Sequence, residues 1–304
     1  MKPWSFKPAE FIPFRDTKAI EKVIRIKRKD FDKHQNPDYR ITIMPDSEVG
    51  FRWVADMFHR IVSARDEGRK VVIITPNPAR CYMQVAYLIN RFKVDCKHVY
   101  TFNMDEYANE DGQTPPESWP LSFMYAFKKF FWSEIDPKLR PPEKQVRGPD
   151  SKTIKDYSRT IADMGGADIC YSGPGWTGHV AFVDPDSPQF KSRDLKEFLK
   201  KGARISRLSP FTIAQNSLHG FFGASGNLCA VPPMAATIGP ADVAGAKNRI
   251  DIHSLVTHGS FSSWQRRLSW AGGPHSQPVQ PPRRAPPARP APGRTRPRPS
   301  RLRS

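Results

Sequence analysis

An α/β fold with an open, mostly parallel sheet is predicted by three apolar runs and by the residues on which each of them ends. Lys70-Val-Val-Ile-Ile-Thr75 is almost continuously apolar, as expected of a strand buried on both faces of a parallel sheet. His98-Val-Tyr-Thr-Phe102 comes after a helical pattern of Met83, Val85, Ala86, Ile89 and Phe92, a crossover of the length a right-handed βαβ unit demands. This second run stops on adjacent carboxylates, Asp105 and Glu106, placing them at the sheet's carboxyl edge, where open α/β folds bind ligands. The third run, Ala167-Asp-Ile-Cys-Tyr171, delivers Ser172-Gly-Pro-Gly-Trp-Thr-Gly-His179, so a second edge also ends on a residue type used in catalysis. Two such edges predict a pocket between them.

The remaining elements are read from periodicity and punctuation. Lys22 to Lys29 is a basic stretch read as the solvated face of a helix or a strand edge. Arg40-Ile-Thr-Ile-Met44 predicts a short strand, and residues 49 to 66 a helix that gathers Val54, Met57, Phe58, Ile61 and Val62 and stops at Gly68. Glu110 to Glu117 is a loop, and residues 118 to 132 an amphipathic helix whose phenylalanines form core or a subunit contact. Ser151 is expected to cap a helix through Ile154, Tyr157 and Ile161 that ends at Gly165-Gly166. A surface helix spans about Leu195 to Lys201, Ala230 to Asp242 is expected to be irregular backbone lining the same edge, and Arg249 to His253 is the last strand. This organisation divides the chain into a basic N-terminal extension (1–39), an α/β domain (40–267) and a Pro/Arg-rich segment (268–304).

That last segment accounts for much of the charge. Of a formal +18 over 304 residues, eight units come from arginines between 274 and 304, where no acid occurs, so the remainder carries +10. The segment offers almost no apolar residue to offset the entropy of ordering and reads either as disordered or as the product of a shifted reading frame. Nucleic acid is not expected as a partner except non-specifically through this tail, because neither basic segment interleaves aromatic residues as a stacking platform does. Cys81, Cys96, Cys170 and Cys229 are widely spaced and form no C-x-x-C pair, which reads as reduced cysteines of a cytoplasmic protein. The charged N-terminus lacks the apolar core of a signal peptide, and no window approaches the roughly 18 apolar residues of a membrane span. The histidines are scattered, so no metal is expected. Gly173-Pro-Gly175 lacks the third glycine and the subsequent acid of a dinucleotide fingerprint, and no cofactor is expected.

Phe102-Asn-Met-Asp-Glu-Tyr107 together with Gly175-Trp-Thr-Gly-His-Val-Ala-Phe-Val-Asp-Pro185 resembles the glucosamine-6-phosphate deaminase (isomerase) family, whose segments read FNMDEY and G-x-x-DGH-IAFNEP. The resemblance covers roughly residues 40 to 250. It implies an open Rossmann-like sheet with helices on both faces, and metal-free conversion of an amino-sugar phosphate to a keto-sugar phosphate and ammonia. By position, Asp105 resembles the base that moves a proton between C2 and C1 of the opened sugar, and His179 the acid that opens the pyranose ring. Chemistry agrees: abstraction beside a carbonyl or imine needs a desolvated carboxylate, and ring opening a group that gives and takes protons near neutrality. Asp184 occupies the family's Glu position as the carboxylate that orients the histidine, one methylene shorter. Glu106 is assigned to loop geometry or to electrostatic support of the base.

The sequence departs from the family where phosphate is held. The Gly-Gly-Thr-Pro loop is here Thr75-Pro-Asn-Pro-Ala-Arg80, without the glycines that let backbone N–H groups approach a phosphate, and Thr75, Asn77 and Arg80 are the expected replacements. The DGH aspartate is Thr177, which with Gly178 is assigned to substrate binding, and the family's phosphate-gripping arginine falls near Leu218. Asn216 is read either as a pocket amide or as a turn residue. The expected partner is a small sugar phosphate, with the chain assembled as a homo-oligomer. These departures keep open a non-catalytic sugar-phosphate sensor on the same scaffold.

Overall fold

Side chains of the first strand alternate between two cores, and this sets the architecture. The strands that build the two sheets around the site are β1 (Val71–Thr75), β2 (Val99–Asn103), β3 (Asp105–Ala108), β4 (Val146–Arg147), β5 (Ile169–Ser172), β6 (Arg204–Arg207), β7 (Met234–Thr237) and β8 (Arg249–Asp251). The helices are α1 (Thr17–Ile24), α2 (Asp46–Asp66), α3 (Tyr82–Arg91), α4 (Phe123–Phe127), α5 (Ile154–Asp163), α6 (Leu195–Phe198), α7 (Pro210–Ser217), α8 (Pro240–Gly245) and α9 (Ser263–Trp270). The structure, a computed structural model, describes residues 4, 6–14, 16–76, 81–254, 256–257, 260–261 and 263–270. Of the tail expected from 268 on, Leu268 to Trp270 instead complete α9, with Leu268 and Trp270 buried, and the residues beyond 270, like Asn77 and Arg80, lie outside that set.

All five strands of the main sheet run parallel in the order β4-β2-β1-β5-β8. Val71 and Ile73 face a core built with Met57 and Ile61 of α2 and Val85 and Ile89 of α3. Val72 and Ile74 face the opposite core, with Ile154, Tyr157 and Ile161 of α5 and Val243 of α8. Burial on both faces explains why this strand is apolar throughout, each side chain contributing about 1.5–3 kcal/mol. The chain moves outward from β1 through β2 to β4, then returns to the other side of β1 for β5 and β8. The order therefore reverses between β1 and β5, and the crevice outside their carboxyl ends is the place such sheets bind ligands.

Met104 turns the chain out of this sheet. Its N–H donates to the Thr75 carbonyl at 2.9 Å and its own carbonyl accepts from Ile238 N at 2.8 Å. Beyond it β3 joins a second, antiparallel sheet of order β3-β7-β6, in which Asp105 is registered with Thr237. A third core of Tyr107, Phe123, Phe182, Leu208, Phe222 and Ala235 packs on that sheet.

The antiparallel sheet corrects the expectation of irregular backbone at Ala230 to Asp242, because β7 is its central strand. Ala235 and Ala236 are fully buried but too small to mark a strand by size or alternation. The strand expected at Arg40–Met44 does not form; Ile43 stands about half exposed and the segment pairs with no neighbour. Ser151 does not cap α5: it exchanges hydrogen bonds with Thr114, its N–H donating to Thr114 Oγ1 at 3.1 Å and its Oγ accepting from Thr114 N at 3.3 Å. The helix expected from 118 begins at Phe123, where Ser122 Oγ accepts from Tyr125 N, and runs on as a π turn through Trp132. Stops at Gly68, Gly165 and Gly166 fall where expected, each glycine adopting a positive φ. Within the segment read as an N-terminal extension, Val23 of α1 is buried and the Arg267 guanidinium of α9 donates to its carbonyl, so α1 and α9 pack together. No helix among the described residues is long and apolar enough to cross a membrane, and all four cysteines are free thiols.

Candidate active site

Asp105 is the first residue of β3, is 4% exposed, and its Oδ1 has no hydrogen-bond partner among the described residues. Burial and, secondarily, the neighbouring Glu106 push its pKa well above the ordinary carboxylate range. Glu106 is buried too but fully engaged. Its Oε1 accepts from Tyr107 N at 2.9 Å and Phe123 N at 3.1 Å, and its Oε2 from Ser122 Oγ at 2.7 Å and Met124 N at 3.0 Å. The carboxylate thus closes the N-terminus of α4, where free N–H groups favour an anion. Burial still raises its pKa, and the four donors oppose that rise.

His179 lies on the loop that leaves β5, which folds back on itself as Gly175 N donates to the His179 carbonyl and Gly178 N to the Gly175 carbonyl, both at 2.9 Å. Gly178 sits at φ +77°, and a Cβ there would press on Leu268 of α9. A Cβ at Gly175 would collide with Nε2 of His179, so this glycine keeps the space before that nitrogen clear. The opposite ring nitrogen is anchored: Nδ1 lies 3.0 Å from Asp184 Oδ1. Two hydroxyls close the arrangement. Thr177 Oγ1 is 2.8 Å from Nδ1 and donates to Asp184 Oδ1 at 2.8 Å; Thr212 Oγ1 is 3.1 Å from Nδ1 and donates to the same oxygen at 2.6 Å. With both hydroxyl protons directed at the carboxylate, the network assigns the ring proton to Nδ1 and leaves Nε2 as the exchanging nitrogen. Asp184 Oδ2 accepts from Ser209 N at 3.0 Å. Burial raises the pKa of Asp184, but His179, Thr212 and the Ser209 amide outweigh it and bring the value down to about 2.

The two halves share a support. Phe182 N, on the His179 loop, donates to Thr237 Oγ1 at 3.0 Å, and Thr237 is the register partner of Asp105. The Phe182 ring lies 5.6 Å from that of Tyr107 and 6.3 Å from that of His179. Asn216 ties α7 to β3, its Oδ1 accepting from Tyr107 Oη at 2.8 Å and its Nδ2 donating to the Thr212 carbonyl. It therefore bridges two elements rather than making a turn or standing as a free amide. Thr75 is fully buried and its hydroxyl donates to Asn103 Oδ1 at 2.9 Å.

Thr212, Ser209 and Gln215, which accepts from Trp176 N at 2.7 Å, are not legible as site residues in the sequence pattern above. The available signal is Ser209-Pro210, a helix start with Pro in the first turn, which sets Thr212, Gln215 and Asn216 on one face at i, i+3 and i+4. Among the described residues no three His, Cys, Asp or Glu side chains converge as a metal-binding group.

A parallel sheet with a reversal between β1 and β5, a desolvated carboxylate at its edge and a carboxylate-anchored histidine nearby define a Rossmann-like enzyme scaffold. No protein-family model matches the sequence. The glucosamine-6-phosphate deaminase of Borreliella afzelii is 30% identical over 209 residues, covering 66% of this chain and 70% of the relative. That of Phocaeicola vulgatus is 29% identical over 217 residues, covering 68% and 74%. Among solved structures, a monomeric glucosamine-6-phosphate deaminase described as a missing link of the NagB superfamily shares the fold with a TM-score of 0.55 and 18% identity, over 69% of this chain and 79% of that one. The chain belongs to the glucosamine-6-phosphate deaminase family, as a distant member.

Proposed function

We infer that the chain is an aldose–ketose isomerase and deaminase that converts an amino-sugar phosphate such as glucosamine 6-phosphate to a keto-sugar phosphate and ammonia. The unpartnered, buried Oδ1 of Asp105 is the observation that carries the reading. A buried carboxylate oxygen without a donor is held in a costly state unless a ligand completes it. His179, exchanging protons through Nε2, opens the pyranose ring. Asp105 then takes the proton from C2 and returns it to C1, and water displaces ammonia from the resulting C2 imine. Asp184, Thr177 and Thr212 hold the imidazole and stabilise its protonated form, and Glu106 keeps the β3–α4 corner in place. Two adjacent buried carboxylates favour a substrate with a cation next to the reacting C–H, as the C2 ammonium of an amino sugar supplies.

Incubating the full chain with glucosamine 6-phosphate and assaying ammonia tests the reading. Release that disappears in Asp105→Asn supports it, whereas undiminished release in that variant removes Asp105 from the base role. The sensor reading draws on the missing glycines of the phosphate loop and on Thr177 in place of the family's aspartate, and gains if the sugar phosphate binds without ammonia release. Homo-oligomer formation is proposed as well, through Phe51 of α2 and Tyr87 and Phe92 of α3 and its end, all mostly exposed; sedimentation showing only monomer would exclude it.

A further inference from the structure

The loop that carries His179 contains a residue in a conformation its side chain disfavours. Ala181 sits at φ +53°, inside a turn closed by Val183 N donating to the Val180 carbonyl at 3.4 Å. Residues with a Cβ avoid this left-handed region, and turns that need it usually place glycine or asparagine there. Ala181 therefore stores strain close behind the imidazole, and such strain persists only where the surroundings over-determine it.

Those surroundings can be named. Val180 is buried in the core shared with α5 and α8, and Phe182 in the core on the antiparallel sheet, so the chain crosses from one core to the other at Ala181. Apolar burial is non-directional and does not orient a peptide. The directional hold is a hydrogen bond, Phe182 N donating to Thr237 Oγ1 at 3.0 Å. Thr237 is fully buried and its own proton goes to the Ile238 carbonyl at 3.2 Å, so its oxygen presents a lone pair to Phe182. In the register of β3 with β7 its partner is Asp105.

We propose, resting on the reading of Asp105 as base and His179 as acid, that Thr237 is a positioning residue whose hydroxyl holds the turn at Ala181 in its strained form and so sets His179 against Asp105. It acts through the loop backbone and not on the substrate. Without the hydroxyl, Phe182 N is left buried and unpaired, the turn relaxes toward an ordinary backbone conformation, and the imidazole moves with it because only Val180 stands between Ala181 and His179.

Thr237→Val keeps the shape of the side chain and removes the acceptor, whereas Thr237→Ser keeps the acceptor. Amide exchange of the full chain by NMR and ammonia release from glucosamine 6-phosphate are the two readouts. In Thr237→Val the Phe182 amide should exchange about tenfold faster while the amides of β3 and β7 keep the parental rate. In the same variant kcat should fall about tenfold with KM nearly unchanged, and Thr237→Ser should restore both readouts. An unchanged Phe182 amide, faster exchange along β3 and β7 as well, or an unchanged kcat once the Phe182 amide is released overturns the proposal. Ala181→Gly adds a second measurement, because glycine accepts φ +53° without strain but loses more freedom on folding. It should raise the melting temperature of the parent chain and lower that of Thr237→Val, where the turn is already relaxed; the same shift in both backgrounds overturns the strained latch. Exchange and melting need no turnover, so a chain that releases no ammonia fails the deaminase reading while these two measurements still decide whether Thr237 holds the loop.

Discussion

Asp105 and Asp184 are both buried aspartates of the same site, yet their surroundings act on them in opposite directions. Asp105 has an oxygen with no donor and a second carboxylate next to it, and its pKa rises far above the ordinary range. Asp184 accepts from two hydroxyls and a backbone amide and lies beside an imidazole, and its pKa falls to about 2. Burial is common to the two, so their neighbours decide the difference: the His179 imidazole and then the donors pull Asp184 down, while Glu106 pushes Asp105 further up. On the proposed function, pushing the two carboxylates apart in this way separates a proton acceptor from an electrostatic anchor.

The comparison breaks most visibly at Asp105. Asp105→Asn is expected to reduce deuterium exchange at substrate C2 by ~10²–10⁴-fold, the usual contribution of a general base. It should also be at least as stable at neutral pH as the parent chain, because the amide removes an ionisable group that burial disfavours. NMR of the sugar and thermal melts measure the two effects; a strongly destabilised variant would mean that Asp105 is structural. Asp184→Asn should behave in the opposite way. Removing the charge of a buried carboxylate on which two hydroxyls, the Ser209 amide and the imidazole converge costs about 3 kcal/mol in urea unfolding along with turnover.

Titration of stability sharpens the contrast. The folded pKa of Asp184 is depressed from 3.8 to about 2, so its contribution is complete above pH 4 and disappears as pH falls through 2. The amount is about 2 kcal/mol, and Asp184→Asn should flatten that acid limb. Asp105 has a raised pKa, so it lowers stability as pH climbs above the ordinary carboxylate value. The stability advantage of Asp105→Asn over the parent should therefore grow with pH. The smallest effect belongs to Thr212→Val, which removes one of the two hydroxyls bridging Nδ1 and Asp184. About 1 kcal/mol of stability and roughly tenfold in kcat should go, with KM nearly unchanged, and Thr212→Ser should restore both. Loss of stability without a change in kcat would limit Thr212 to packing.

Residues 71–75 and 99–103 announce their strands because burial on both faces leaves its mark on consecutive side chains. Adjacent Asp and Glu after such a strand are legible for the same reason, as is a histidine closing a glycine-rich turn. The inequality between Asp105 and Glu106 required the structure: three donors converge on Glu106 from a helix start 16 to 18 positions away, and none reaches Asp105 Oδ1. Asp184, a methylene shorter than the family's glutamate, reaches the imidazole because the loop brings the two side chains within 3.0 Å. Thr212 enters from 28 positions beyond Asp184, on a helix whose short length gives almost no periodic signal. Local pattern, set by which neighbours must be apolar, is what the sequence alone determined: the parallel sheet, its edge, and the two residues placed on it. Which carboxylate is left wanting a proton and which is held charged was decided by packing, because hydrogen-bond donors come from segments that only the folded chain brings together.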